Sequence, residues 1–175
     1  IREMILPYAT VNLDKLFPAF VPEDHLYTPS YVNVNSIIVN KALIEELGVT
    51  VDGWESLTDE RLKGNISFAS PADSSSAMEA LINMLAAMAP DHKVEDGWDF
   101  AKAFLKNLDG KLASGSSAAY KNVVEGEYAV GLTNEDKTIS YMKEGAGVFA
   151  VYPKEGITLR TSNTGIIKGG ANTHN

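Results

Sequence analysis

The apolar and polar positions of this chain change period along its length. Residues 1–29 have no regular pattern. Pro7, Pro18, Pro22 and Pro29 punctuate them, which leaves room for at most a short helix around 14–20. From Tyr31 to Val39 the order is Tyr-Val-Asn-Val-Asn-Ser-Ile-Ile-Val. It alternates and then becomes continuously apolar, which predicts a strand entering a buried sheet. Asn40 is placed to cap a helix over 41–47, and Gly48 to end it. Residues 53–60 predict a loop and a short helix capped by Ser56 or Thr58, and residues 65–69 a short strand. Met78, Leu81, Ile82, Leu85 and Met88 then fall at helical spacing and predict the inward face of a long helix that begins at Asp73 or a neighbouring serine. A second helix is predicted over 97–108, with Trp98, Ala101, Phe104, Leu105 and Leu108 inward. A third follows Ser114-Gly115-Ser116-Ser117 and stops at Gly126. Residues 128–133 predict a strand, 134–144 a helix, 148–152 a strand closed by Pro153, and 158–167 at least one more extended segment. Strands and helices alternate for most of the chain, so the fold class is α/β with a mixed, mostly parallel sheet flanked by helices.

Composition narrows the function. The chain has 175 residues, enough for one domain or one and a fraction, and 45% are hydrophobic. Net charge is -8, from 23 acidic and 15 basic residues, with no Lys/Arg run. A nucleic-acid backbone would be repelled. A small anion would not, because helix N-terminal amides bind one against the global charge. The absence of cysteine removes disulfides, thiolate metal sites and cysteine nucleophiles. The longest apolar runs, such as 36–39 and 85–88, are too short to span a membrane. The chain opens on Ile1-Arg2-Glu3-Met4 without a signal peptide, which reads as a fragment or a processed chain.

Three short polar stretches sit where a strand or loop turns into a helix: Asp73-Ser74-Ser75-Ser76, Ser114-Gly115-Ser116-Ser117 and Thr133-Asn134-Glu135-Asp136. Each is an ordinary cap by composition. Each also puts hydroxyls beside amides that lack partners within the helix. Three such turns on one rim of an open α/β sheet would make an anion cup. Glu135 and Asp136 read three ways: an acid/base pair, a first turn stabilised by the helix dipole, or acceptors for sugar hydroxyls. His25, His92 and His174 lack metal-ligand spacing and read as solvated. Tyr120, Tyr128, Trp54 and Trp98 read as packing residues. Gly-x-Ser-x-Gly, Walker and Rossmann signatures are absent, so neither a cofactor nor an enzymatic activity is expected.

The segment 67–77, Ser-Phe-Ala-Ser-Pro-Ala-Asp-Ser-Ser-Ser-Ala, resembles the ligand loop of ferric-type (type 2) periplasmic binding proteins, and more closely their hexose-phosphate branch. The resemblance continues through 109–111, 114–121, 124–133, Glu135-Asp136, 151–156 and 166–169, and covers about 31–168. Such proteins have two α/β lobes joined by crossing strands, with the ligand between them. The resemblance implies this plan: residues 1–30 as the tail of the first lobe, 31–39 as a crossing strand, 40–156 as the second, ligand-binding lobe, and 157–175 as the return strand.

It further implies a small anionic solute, with a sugar phosphate favoured. Ser74, Ser75, Ser76, Ser116 and Ser117 would hold the phosphate-like end. Asn134, Glu135 and Asp136 would hold hydroxyls, with Glu155 as a weaker candidate. Iron-binding relatives place a tyrosine pair where this chain has Asn134-Glu135-Asp136, so no metal site is implied. Asn134 and Lys137 also depart from the hexose-phosphate pattern. The implied partner is an ABC permease, and the implied location is extracytoplasmic, either periplasmic or a surface lipoprotein. Alternatives are a ferric-iron binder and the sensing subunit of a two-component system. A lobe separated from its partner lobe is expected to form homodimers.

Overall fold

Ile37, Ile38 and Val39 are fully buried in succession, because the strand that carries them is covered on both faces. The computed structural model describes residues 2–171, which fall into two compact units, 34–158 and 2–33 with 159–171. The elements in chain order are β1 (Ile5–Leu6), β2 (Thr28–Asn40), α1 (Lys41–Leu47), β3 (Ile66–Ser67), α2 (Ser75–Met88), α3 (Trp98–Asn107), α4 (Ser116–Val124), β4 (Val130–Asn134), α5 (Glu135–Lys143), β5 (Val148–Val151), β6 (Leu159–Thr164) and β7 (Ile166–Ile167). Short 3-10 turns at Leu13–Lys15 and Pro18–Phe20 replace the short helix expected near the start. His174 and the rest of 172–175 lie outside the described residues.

In the unit 34–158 the strand order is β3-β4-β2-β5. β3 and β4 pair in parallel, whereas β2 is antiparallel to both β4 and β5. Thus β3, β4 and β5 all point one way, as helical crossovers dictate, and β2 runs against them between β4 and β5. The sheet is mixed, but the expected parallel majority of pairings is absent because β2 occupies the centre. Ile37 and Val39 face a core that includes Trp54, Phe68, Met84 and Phe104. Ile38 faces the other side, against Val123 and Val148.

In the unit 2–33 with 159–171, β1 pairs antiparallel with β7. β6 pairs with β2. There Ser30 Oγ donates to the Ser162 carbonyl at 2.8 Å, and Asn33 Nδ2 to Ser162 Oγ at 2.9 Å. Among the described residues, no helix is long and apolar enough to cross a membrane.

Local signals placed α1 correctly. Asn40 Oδ1 accepts from the Leu43 amide at 3.2 Å, and Gly48 ends the helix with φ 62°. Two helix faces differ from expectation. On α2 the buried residues are Ala77, Ala80, Asn83, Met84 and Leu85, while Met78 and Ile82 are exposed. This helix is apolar nearly all round, so spacing fits more than one face, and Ala77, Ala80 and Met84 are packed into the core. On α3, Ala101 and Phe104 are buried and Phe104 meets Phe68 edge-on at 5.3 Å, but Trp98 and Leu105 stay about half exposed. Trp98 is therefore not a core residue, unlike Trp54.

Gly131 sets how closely α4 lies on β4. A Cβ there would sit 2.5 Å from the Ala119 carbonyl oxygen and 2.9 Å from Val123 Cγ2. A strand glycine of this kind marks close backbone approach. Gly131→Ala is expected to destabilise the protein by about 1–3 kcal/mol through overpacking. The midpoint of urea unfolding checks it; an unchanged midpoint would show that α4 moves away at no cost.

Candidate functional site

Parallel pairing brings the carboxyl ends of β3 and β4 to one edge of the sheet. From there the chain enters α2 after a loop, and α5 without one, since Asn134 both ends β4 and stands at the N-cap of α5. Ala113 forms a parallel bridge with Ala69, so the segment that starts α4 emerges at the same edge. Three helix N-termini therefore converge where open α/β sheets bind ligands. They surround a cavity of about 100 Å³ lined by Ser76, Ser116, Ser117, Tyr120, Thr133, Asn134 and Lys137. That volume suits an anionic headgroup and is small for a whole solute.

The capping of the three helices differs. Ser74 is 8% exposed; its Oγ accepts from the Ala77 amide at 3.2 Å and lies 3.1 Å from Ser76 Oγ. Ser74 is thus the α2 cap, one residue later than Asp73, and it orients Ser76 toward the cavity. Ser75 is exposed and outside the lining. α4 has Gly115 at its cap position, which offers no side chain. Asn134 makes no cap bond to α5, and its Oδ1 is buried without a hydrogen-bond partner. The first-turn amides of α4 and α5 are consequently left to other acceptors. The dipoles of both helices and the Lys137 ammonium favour negative charge in the cavity. Lys137 pairs with exposed Asp136 at 2.8 Å.

Of the other residues expected at the site, Glu135 directly follows the lining residue Asn134 but is not part of the lining, and its Oε1 accepts from the Tyr152 hydroxyl. This hydrogen bond, with some burial, holds the phenol above its ordinary ionisation range. Glu155 is not brought to the cavity. Its Oε2 accepts from the Trp54 amide at 2.9 Å and its Oε1 from the Glu55 amide at 3.0 Å. It thereby caps the short turn Glu55–Thr58, for which Ser56 and Thr58 were the expected caps. Those two hydroxyls bond instead to Asp52 Oδ1 and to the Glu55 carbonyl. Gly53 makes room for this, since a Cβ there would collide with the Glu155 carboxylate.

Tyr120 and Lys137 were not expected to line the site. Tyr120 packs on Tyr141 with ring centroids 5.9 Å apart, as its packing role predicted, and lines the cavity as well. Helical spacing is the signal that finds both: Lys137 is one turn after Asn134, and Tyr120 one turn after Ser116 and Ser117. Among the described residues no group of three or more His, Asp or Glu side chains is arranged to hold a metal. His92 Nδ1 is 3.1 Å from the Ala86 carbonyl, and His25 lies among Leu6, Tyr8 and Tyr27.

The chain is similar to several known proteins. An uncharacterised protein of Haemophilus influenzae is 25% identical over 98% of the chain, which covers 50% of that protein. The periplasmic binding protein AfuA of Actinobacillus pleuropneumoniae, solved with exogenous fructose-6-phosphate, is 26% identical, with a TM-score of 0.78 over 97% of this chain and 53% of its own. The same fold, at 21% identity and TM-score 0.78, occurs in a two-component system protein that mediates signal transduction (96% of this chain, 53% of that one). It also occurs, at 19% identity and TM-score 0.67, in a Trichodesmium protein in complex with iron and citrate ligands (97% and 55%). The chain spans about half the length of the relatives it matches. The model for bacterial extracellular solute-binding proteins matches residues 5–174, and the chain belongs to that family.

Proposed function

We propose that this chain is the ligand-gripping lobe of an extracytoplasmic solute-binding component of an ABC importer, and that its solute is a sugar phosphate. The observation that carries this reading is the cavity at three helix N-termini, two of them without side-chain caps. Amides, serine hydroxyls and Lys137 supply donors and positive charge for a phosphate. The buried Asn134 Oδ1 is an acceptor that an anion alone leaves without a donor, and the Glu135 carboxylate, which already accepts from Tyr152 on Oε1, has acceptor capacity left. A solute that carries hydroxyls next to its phosphate satisfies both sets. The likeness to a fructose-6-phosphate-bound protein supports the same choice. The partner in transport is a membrane permease, and the lobe binds without turnover.

Iron is the weaker reading. Among the described residues Tyr152 is hydrogen-bonded to the Glu135 carboxylate, and that bond disfavours the phenolate a ferric ion needs. Isothermal titration of the intact protein with glucose 6-phosphate, and with ferric citrate as the contrast, tests the proposal. Binding of the sugar phosphate and silence with ferric citrate are expected. The reverse result returns the protein to the iron branch.

A further inference from the structure

We propose that Tyr152 is a positioning residue for the solute: its hydroxyl fixes the Glu135 carboxylate in the orientation that accepts hydroxyl groups of a bound sugar phosphate. The inference rests on the reading above and adds a residue from beyond β5, which contributes nothing to the cavity lining.

The sheet brings the two residues together. Ile37 of β2 is paired with Leu132 on one side and with Val151 on the other. The exits of β4 and β5 therefore flank the same stretch of β2. Tyr152 directly follows Val151, and Glu135 opens α5. The phenol of one reaches the carboxylate of the other. The stretch of β2 between them is rich in unused acceptors. Asn35 and Ser36 are 4% and 1% exposed, and Asn35 Oδ1 and Ser36 Oγ have no hydrogen-bond partner.

Packing does not account for Tyr152, which is 46% exposed. Its hydroxyl has water available and still donates to Glu135. Glu135 stands in the first turn of α5, where a carboxylate interacts favourably with the helix dipole. An O–H···O⁻ bond to it is charge-assisted. With Oε1 held, the carboxylate has lost rotamer freedom before a solute arrives, which is the usual source of affinity gained by preorganisation. The hydroxyl is a donor at neutral pH, as an ordinary phenol is, and Glu135 raises its ionisation range further.

The test compares glucose 6-phosphate with inorganic phosphate by titration calorimetry on the intact protein. Tyr152→Phe is expected to weaken glucose 6-phosphate about tenfold, the effect of one hydrogen bond to a charged group. Inorganic phosphate, which needs no hydroxyl acceptor, is expected to bind with unchanged affinity. In a Glu135→Ala background Tyr152→Phe should have no further effect, since its action passes through Glu135. An equal loss for both anions, or a loss that persists without Glu135, identifies a structural role and overturns the proposal. Wild-type protein that ignores glucose 6-phosphate overturns this inference together with the function it rests on. Wild-type binding that Tyr152→Phe leaves unaltered overturns this inference alone.

Discussion

Ser117→Asp is expected to abolish sugar-phosphate binding while leaving the fold as stable as before, or slightly more stable. Ser117 is exposed, lines the cavity and is the second residue of α4, after a glycine cap that supplies no side chain. A carboxylate at that position interacts favourably with the helix dipole, by about 0.3–1 kcal/mol. The same carboxylate occupies the place assigned to the phosphate. Like charges about 4 Å apart near a protein surface repel by about 4 kcal/mol, so a loss of 100-fold or more is expected. Titration calorimetry and a thermal melt on the same sample separate the two effects. A variant that melts earlier would point to a packing role for Ser117. One that still binds would move the anion elsewhere.

Trp54→Ala is expected to cost about 3–5 kcal/mol, enough to unfold a marginal protein. Trp54 is fully buried in the main core. Its Nε1–H donates to the Gly156 carbonyl at 2.9 Å, and its backbone amide to Glu155 Oε2. The side chain thus joins the segment before the turn Glu55–Thr58 to the loop after β5. The exposed ion pair nearby, Lys154 to Asp52 at 2.8 Å, contributes little by comparison, because solvent screens it. Lys154→Ala should therefore shift the urea midpoint only slightly. If Trp54→Ala unfolds at the same midpoint as Lys154→Ala, the loop after β5 is not held through the indole.

The elements differ in how far they could be read in advance. α1 was legible because its cap, body and terminating glycine are all local: Asn40 bonds to Leu43, three residues on, and Gly48 needs only its own positive φ. The serine-rich turns were legible as helix starts for the same reason. The inward faces of α2 and α3 were legible in part: Leu85, Ala101, Phe104 and Leu108 are buried and Leu81 and Met88 pack on the core, whereas Met78, Ile82, Trp98 and Leu105 are exposed. Period alone cannot choose among apolar stripes on a helix such as α2, and packing on the core selected the one that carries Ala77, Ala80 and Met84. Glu155 shows the limit plainly. Its two amide partners are 101 and 100 positions away, and no local pattern announces such a cap.

By itself the sequence determined the α/β class, the caps of α1 and α2, and the donor-rich chemistry of three polar turns, since each depends on residues within a few positions of one another. The tertiary structure alone decided that these turns share one cavity. That outcome needs β3 beside β4 in parallel and the Ala69–Ala113 bridge to carry the start of α4 to the same edge. It also decided which candidates belong there, bringing in Lys137 and Tyr120 and assigning Glu155 to a distant cap. Only the central placement of β2 between β4 and β5 brought Tyr152 to Glu135. Contacts of that kind depend on pairing between strands far apart in the chain, and pairing is settled by burial of both sheet faces at once.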